Sequence, residues 1–363
     1  MVDLRDVELA DILVNYSVKM RPGDKVCLLT DSVVTRPLFL EVYKRIIMGG
    51  GYPYPHMELD PHIGFEGMDP IWMKYASDRQ LKYFSRTRFN EMKAMNAYIR
   101  IGGGTEELTG VDPERIPLRR RVTRPMLTER LTKRWVATRY PTPNLAKTAG
   151  MKLKEFEDFF YGACLIDWDK QKQKQMTIKE RLKGAKVIQI LGAETDLKIG
   201  VAGRKLTLCY GKKNMPDGEL YYAPLETFTN GYIKYTYPYN YNGQKIDGIF
   251  LRFKHGKVIY HNAVKNQKAL TALLNTDPGS RVLGEAAFGT NEGITKFTGE
   301  TLFDEKINGT VHITPGNAYP DSGGKNKSAN HADIVKDLRP EFGGGEILVD
   351  GEVIQKNGKW TFI

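Results

Sequence analysis

Residues 185–209 read AKVIQILGAETDLKIGVAGRKLTLC. Apolar and polar residues alternate through VIQIL, LKIGV and LTLC, with Gly-containing turns between the runs. Period-two alternation in short pieces is the pattern of half-buried strands joined by hairpins. Downstream, ELYYAPLE, YIKYTYPYN, GIFLRFKHG and KVIYHNA continue it, interrupted by the helix-like QKALTALLNT. Upstream the period changes. LADILVNYSVKM, RPLFLEVYKRIIM and FNEMKAM carry apolar residues at helical spacing, and KVCLLTD, YPYPHMEL, NAYIRIG and RWVATR read as strands between them. Alternating β and α segments predict a mainly parallel sheet. The expected architecture is an α/β N-terminal domain over 1–182, followed by a mostly antiparallel, β-rich α+β C-terminal domain over 183–363. The boundary is expected within DWDKQKQKQMTIKERLKGA, at the end of a single helix running through KLKEFEDFFYGACLIDWDKQKQKQMTIKERLKG.

Bulk composition narrows the function classes. The 363 residues are 41% hydrophobic and 27% charged, the profile of a folded globular chain. No run of about 18 apolar residues exists, so no membrane helix is expected. MVDLRDVELADILVNY lacks the basic and apolar regions of a secretory signal, so a cytoplasmic location is the default expectation. Cys27, Cys164 and Cys209 lie far apart without a CxxC pair and read as packing residues. The net charge of +11 owes part of its excess to PERIPLRRRVTRPMLTERLTKRWVATR, residues 113–139. No nucleic-acid motif accompanies that stretch, so a solvated surface is favoured and nucleic acid is not an expected partner. The Gly clusters in IIMGGGYPYP and RIGGGTEE do not form GxGxxG at the start of a helix, and read as turns rather than a dinucleotide site.

Chemistry concentrates in the second half. Glu285 sits in VLGEAAFG, an apolar run, and a lone buried carboxylate there must be paired, neutralised or metal-bound. Glu219 follows the PDG turn. FDEKINGTVHITPGNAY supplies Glu305, His312 and Tyr319, and NHAD supplies His331 and Asp333. If NHAD is extended, His331 and Asp333 project from one face, which suits a divalent metal or a hydrogen-bonded structural pair. An oxygen-rich set with two imidazoles and no thiolate suits Zn, Co or Mn, and carboxylates can bridge two such ions. The connector DSGGKNKSAN is expected to be flexible, its ends pinned by metal.

These segments resemble the thermophilic metallo-aminopeptidase family, which includes aminopeptidase T, aminopeptidase S and archaeal leucyl aminopeptidase-like members. The similarity runs through LADILVNYSVKMRPGDKV, RYPTPNLAKTAGMKLKEFEDF, TDLKIGV, NMPDGELYYAPLE, GEAAFGTN, FDEKINGTVHI, GNAYPDSGG and SANHADIV. The resemblance implies that Glu219, Glu285, His312, Tyr319, His331 and Asp333 ligate two divalent ions, commonly Zn or Co, with Mn or Mg as further possibilities. Glu285 is the expected bridge, with Asp333 the other candidate. Glu305, Glu285 and Tyr319 are the expected catalytic residues, Glu305 as general base or supporting carboxylate and Tyr319 as ligand or donor to the tetrahedral intermediate. It also implies removal of N-terminal amino acids from peptides with a free N-terminus, and a homodimer. Two departures stand out. Glu305 aligns with the family's acidic residue only across a small gap, and HITPG replaces the frequent HIALG. Tyr221, Tyr222 and Phe288 flank the ligands as pocket or packing residues, with packing favoured. The rival readings are another metal-dependent amidohydrolase on the same centre and a non-catalytic basic binding protein.

Overall fold

The computed structural model describes residues 3–57, 70–103, 112 and 115–363. The chain divides into two compact units, Met1–Leu165 with Gly211–Pro216, and Ile166–Tyr210 with Asp217–Ile363.

The first unit is built on a parallel sheet with strand order Tyr52–Met57, Lys25–Thr30, Ala97–Gly102, Arg134–Arg139, Asn214–Met215. Its second strand, KVCLLT, is buried from Val26 onward, as a strand covered on both faces must be. Cys27 and Leu29 pack with Met92, Met95, Tyr98 and Met126. The glycines at 49–51 close the helix Arg36–Met48, and the Gly103 amide donates to Asp31 Oδ1 at 2.7 Å. They make turns, in keeping with the sequence reading; Gly104 and the TEE after it lie outside the described residues.

Much of the basic stretch is structural. Arg115–Leu131 is a helix, and Pro113 and Glu114 before it lie outside the described residues. Arg119 is buried and donates to the carbonyls of Leu81, at 3.2 Å, and Tyr83, at 2.6 Å, closing the short helix Asp78–Leu81. Arg130 lies over the Tyr98 ring, 5.2 Å from its centroid.

The second unit holds two large antiparallel sheets sharing one core, and a two-stranded ribbon of Tyr239–Tyr241 with Gln244–Ile246. Eight strands run in the order Lys257–Asn262, Phe250–Lys254, Asn230–Lys234, Thr195–Gly200, Val187–Gly192, Gly345–Val349, Glu352–Lys356, Lys359–Trp360. The opening stretch supplies its central hairpin, with Val187 paired to Gly200 and Gly192 to Thr195. Five more strands run in the order Ile334–Asp337, Thr310–Pro315, Leu283–Gly289, Glu219–Tyr222, Thr207–Cys209.

The parallel-then-antiparallel architecture is as expected, but two details differ. The single long helix is two, Leu153–Cys164 and Trp168–Arg181, because the Asp167 side chain caps the second by accepting from the amides of Asp169 and Lys170. The division also falls at 165/166 rather than 182/183. Helix Trp168–Arg181 buries Ile178 completely in the core of the second unit, with Ile188, Ile190 and Leu197. Removing that side chain leaves a cavity. Ile178→Ala is expected to cost about 2–5 kcal/mol in urea unfolding. The exposed Met176→Ala on the same helix should stay within about 0.5 kcal/mol. Similar losses for both would remove the helix from that core.

Candidate metal centre

Strand alternation sorts the five-stranded sheet into two faces. Leu220, Tyr222, Ala286, Phe288, Val311 and Ile313 join the core. Glu219, Tyr221, Ala287 and His312 fall on the opposite face, with Ala287 paired to both Tyr221 and His312. Glu285, two residues before Ala287, falls on this polar face by the same alternation, and a register shift between Leu283 and Glu285 returns Leu283 to the core side. Tyr222 and Phe288 are therefore packing residues. The Tyr221 ring lies 5.6 Å from that of Tyr319 and is tilted by 54° to it, and the Tyr319 ring lies 4.9 Å from that of His331.

The geometry of the polar face converges on Glu285. Its Oε1 lies 3.0 Å from His312 Nε2, and its Oε2 lies 3.9 Å from His331 Nε2. His312 Nε2 is also 3.3 Å from Glu219 Oε2, and His331 Nε2 is 3.1 Å from Asp333 Oδ1. Glu219, Glu285 and His312 offer ligand atoms within 4.8 Å of one another, as do Glu285, His331 and Asp333, and Glu305, His312 and Asp333. Glu285 is 3% and Glu219 6% exposed, and His312 is fully buried. Asp333 and His331 lie just ahead of the strand Ile334–Asp337 rather than within it, with His331 in an isolated bridge to Gly316, yet their side chains still meet.

Both histidines have a fixed tautomer. His312 Nδ1 faces the carbonyl oxygen of Glu305 at 2.9 Å, and His331 Nδ1 faces that of Asn317 at 2.8 Å. A carbonyl only accepts, so each Nδ1 carries the hydrogen and each Nε2 turns to the carboxylates. A neutral Nε2 is an acceptor, and so are the carboxylate oxygens around it. Something positive has to sit among them, a proton or a metal ion. In the metal-free protein it is a proton. Burial alone would lower His312, but its hydrogen bond to Glu285 and the charge of Glu219 push it up to about 9. His331, against the same desolvation, is pushed up to about 10 by Asp333 and Glu285. Desolvation raises Glu219 and Glu305, while the two imidazoles hold Asp333 far below the usual carboxylate range in spite of its burial. Glu219 Oε2 and Glu285 Oε2 are buried without a hydrogen-bond donor among the described residues. Two orphaned carboxylate oxygens, two Nε2 lone pairs and Asp333 fit a pair of divalent cations.

The six expected ligands and Glu305 thus gather in one place, with Glu219, Glu285, His312, His331 and Asp333 in direct side-chain contact. Tyr319 is the least embedded, 42% exposed, with its phenol held above the ordinary tyrosine range by desolvation and by the carboxylates of Glu285 and Asp333. Sequence reading missed three participants. Thr314 donates to Asp333 Oδ1 at 2.8 Å, and its position two residues after His312 was the available signal. Lys306 is completely buried, paired with Glu305 and 3.8 Å from Glu219. In a DEK run it reads as a solvated charge. Cys209, half-buried, pairs across strands with Glu219 and lies in a cluster with it and Asp217.

The connector is more ordered than expected. Asn326 donates to the carbonyls of Gly279 and Gly316, Asn330 to that of Leu273, and Asp277 accepts from the Ala329 amide at 2.7 Å and Ser328 Oγ at 3.0 Å. These bonds hold the loop without metal. Its approach to the sheet depends on Gly284, where an added Cβ would meet the carbonyl oxygens of Gly316 and Asn317 at 2.4 Å each. Asn317 is the residue that orients His331. Gly284→Ala is therefore expected to cost about 1–3 kcal/mol in urea unfolding and to weaken divalent-metal binding in calorimetry. Unchanged stability and metal affinity would show that the loop is not held at this distance.

A model of the thermophilic metalloprotease (M29) family matches residues 5–360. Relatives include aminopeptidase 2 of Geobacillus stearothermophilus, 33% identical over 174 residues, and aminopeptidase T of Thermus aquaticus, 30% identical over 204. These stretches are 41% and 47% of this chain but only 40% and 48% of the relatives, so the chain matches about half of their length. Wild-type AmpT from Thermus thermophilus has the same fold, with a TM-score of 0.82 at 21% identity over 99% of both chains.

Proposed function

The chain belongs to the thermophilic metalloprotease (M29) family, and from that premise we propose that it is a metal-dependent aminopeptidase with a dinuclear centre. One observation carries the dinuclear reading: the two oxygens of Glu285 address different imidazoles. Glu285, Glu219, His312, His331 and Asp333 would hold two divalent ions, Zn or Co by donor type, with Mn or Mg as less fitting occupants. Two ions bound there supply Lewis acidity and a water of lowered pKa.

The remaining steps belong to the chain's own residues. Glu305 has a carboxylate oxygen within 4.8 Å of His312 and Asp333 ligand atoms. It serves as the base that takes the proton of the attacking water and returns it to the leaving amine. Tyr319, kept protonated, donates a hydrogen bond to the oxyanion of the tetrahedral intermediate or joins the ligand set. His331 and Asp333 are less buried than His312, so substrate enters from their side. A free α-amine is attracted by the carboxylates there, which selects peptides with an unblocked N-terminus. The aromatic step from Tyr221 to Tyr319 borders the place of the first side chain. The aminopeptidase names of the relatives support this reading. A cytoplasmic homodimer is part of the proposal; among the described residues no helix is long and apolar enough to cross a membrane.

Amino-acid p-nitroanilides and their N-acetylated forms test the substrate class. Cleavage of the free-amine forms alone is expected, and equal cleavage of both would point to a general amidohydrolase instead. Glu285→Ala should abolish turnover and lower bound metal while the circular-dichroism spectrum stays native. Glu305→Gln should cut kcat by about two orders of magnitude or more, with both ions retained. Metal loss in that second variant would make Glu305 a ligand.

A further inference from the structure

Behind the Glu219 side of the centre lies a second cluster of acceptors. Cys209 Sγ and carboxylate oxygens of Asp217 and Glu219 lie within 4.8 Å of one another. Asp217 is 1% exposed, Glu219 6% and Glu305 8%. A trio like this, within a buried polar region, has the composition of a cation site. Its neighbour is the fully buried ammonium of Lys306, which pairs with Glu305, lies 3.8 Å from Glu219 Oε1 and is close enough for its charge to interact with Asp217.

We propose that the Lys306 ammonium is a tethered third cation of this centre, occupying the Cys209–Asp217–Glu219 cluster and closing it to metal ions. The inference rests on the dinuclear reading for its count of charges. Asp217, Glu219, Glu285, Glu305 and Asp333 bring five carboxylates into one buried region. Two divalent ions and the Lys306 ammonium bring five positive charges into the same region. Buried charges are tolerated only when compensated in this way. The lysine also divides the work of Glu219. Oε1 faces the ammonium, so Oε2, 3.3 Å from His312 Nε2, is the oxygen presented to a metal. A strongly hydrated point charge on a four-carbon stem suits the role, because it fills a cation position without being exchangeable. Thiophilic ions, which Cys209 would otherwise attract, are thereby kept from lodging behind the working site.

The test is a cadmium and zinc titration of metal-free protein, read by calorimetry and by the ultraviolet thiolate-to-cadmium charge-transfer band. Wild type is expected to take two ions with no thiolate band. Lys306→Ala is expected to take three, with a thiolate band that disappears in Lys306→Ala/Cys209→Ser. A thiolate band in wild type would overturn the proposal, as would a folded Lys306→Ala that binds no more ions than wild type. If Lys306→Ala is unfolded without metal, cadmium should restore its cooperative melt to a greater extent than it stabilises wild type, and failure to do so also overturns the idea. The dinuclear reading is judged separately. Fewer than two ions in wild type would count against it, whereas the role of Lys306 is read from the difference between wild type and variant.

Discussion

Acceptors facing acceptors are the constraint on which the second unit is organised. Glu285 directs its oxygens at two imidazole nitrogens whose hydrogens are already committed elsewhere, His312 to the Glu305 carbonyl and His331 to that of Asn317. In a fold without a cation this would be among the most expensive arrangements a protein could bury. Here protons supply the positive charge, drawn onto the imidazoles by the carboxylates around them. The metal-free protein thus carries a centre whose ligands are fixed in orientation while the positive charge they need is exchangeable. The Glu305 carbonyl lies at the C-cap of the short helix Thr301–Asp304 and the Asn317 carbonyl lies just after the strand Thr310–Pro315, so the placement of these backbone segments sets both tautomers.

The backbone does more than hold the histidines. Gly284 lets the Leu283–Gly289 strand run against the carbonyls of Gly316 and Asn317, and Gly316 itself adopts a φ of +118 that side chains rarely accept. The register shift beside Gly284 keeps Leu283 in the core while Glu285, the next residue along, faces the polar side. The charge-bearing residue and the residue without a side chain therefore depend on each other: the close approach that glycine allows brings the His331 loop to Glu285.

The fold was legible where periodicity is local. The switch from helix-and-strand alternation to hairpins at VIQIL reports a real change from parallel to antiparallel pairing. The helix break at Leu165 was not legible, because the apolar spacing of GACLI runs smoothly into the Asp167 cap. Among site residues, Glu285 announced itself by being charged in an apolar run, and His331 and Asp333 by their spacing. Lys306 did not, since burial of a lysine depends on carboxylates that arrive from Glu219 and Asp217, about 90 residues earlier in the chain. Cys209 read as packing for the same reason. Its neighbours are set by strand pairing with Glu219, and register is a tertiary property that the local pattern leaves open.

This division has a consequence for how the centre can change. The proposed ligands on the regular strands, Glu219, Glu285 and His312, are held by cross-strand pairing, and moving one alters the core face beneath it. Tyr319, His331 and Asp333 come from irregular segments tied down by Asn326, Asn330 and Asp277. Those side-chain bonds are individually worth about 1 kcal/mol and can be rearranged without touching the core. In the proposed reaction, substrate approaches from that same loop side. The rigid sheet therefore conserves the chemistry of the buried half, while the hydrogen-bonded loop is where the width of the entrance and the fit of the first side chain can be adjusted at small cost in stability.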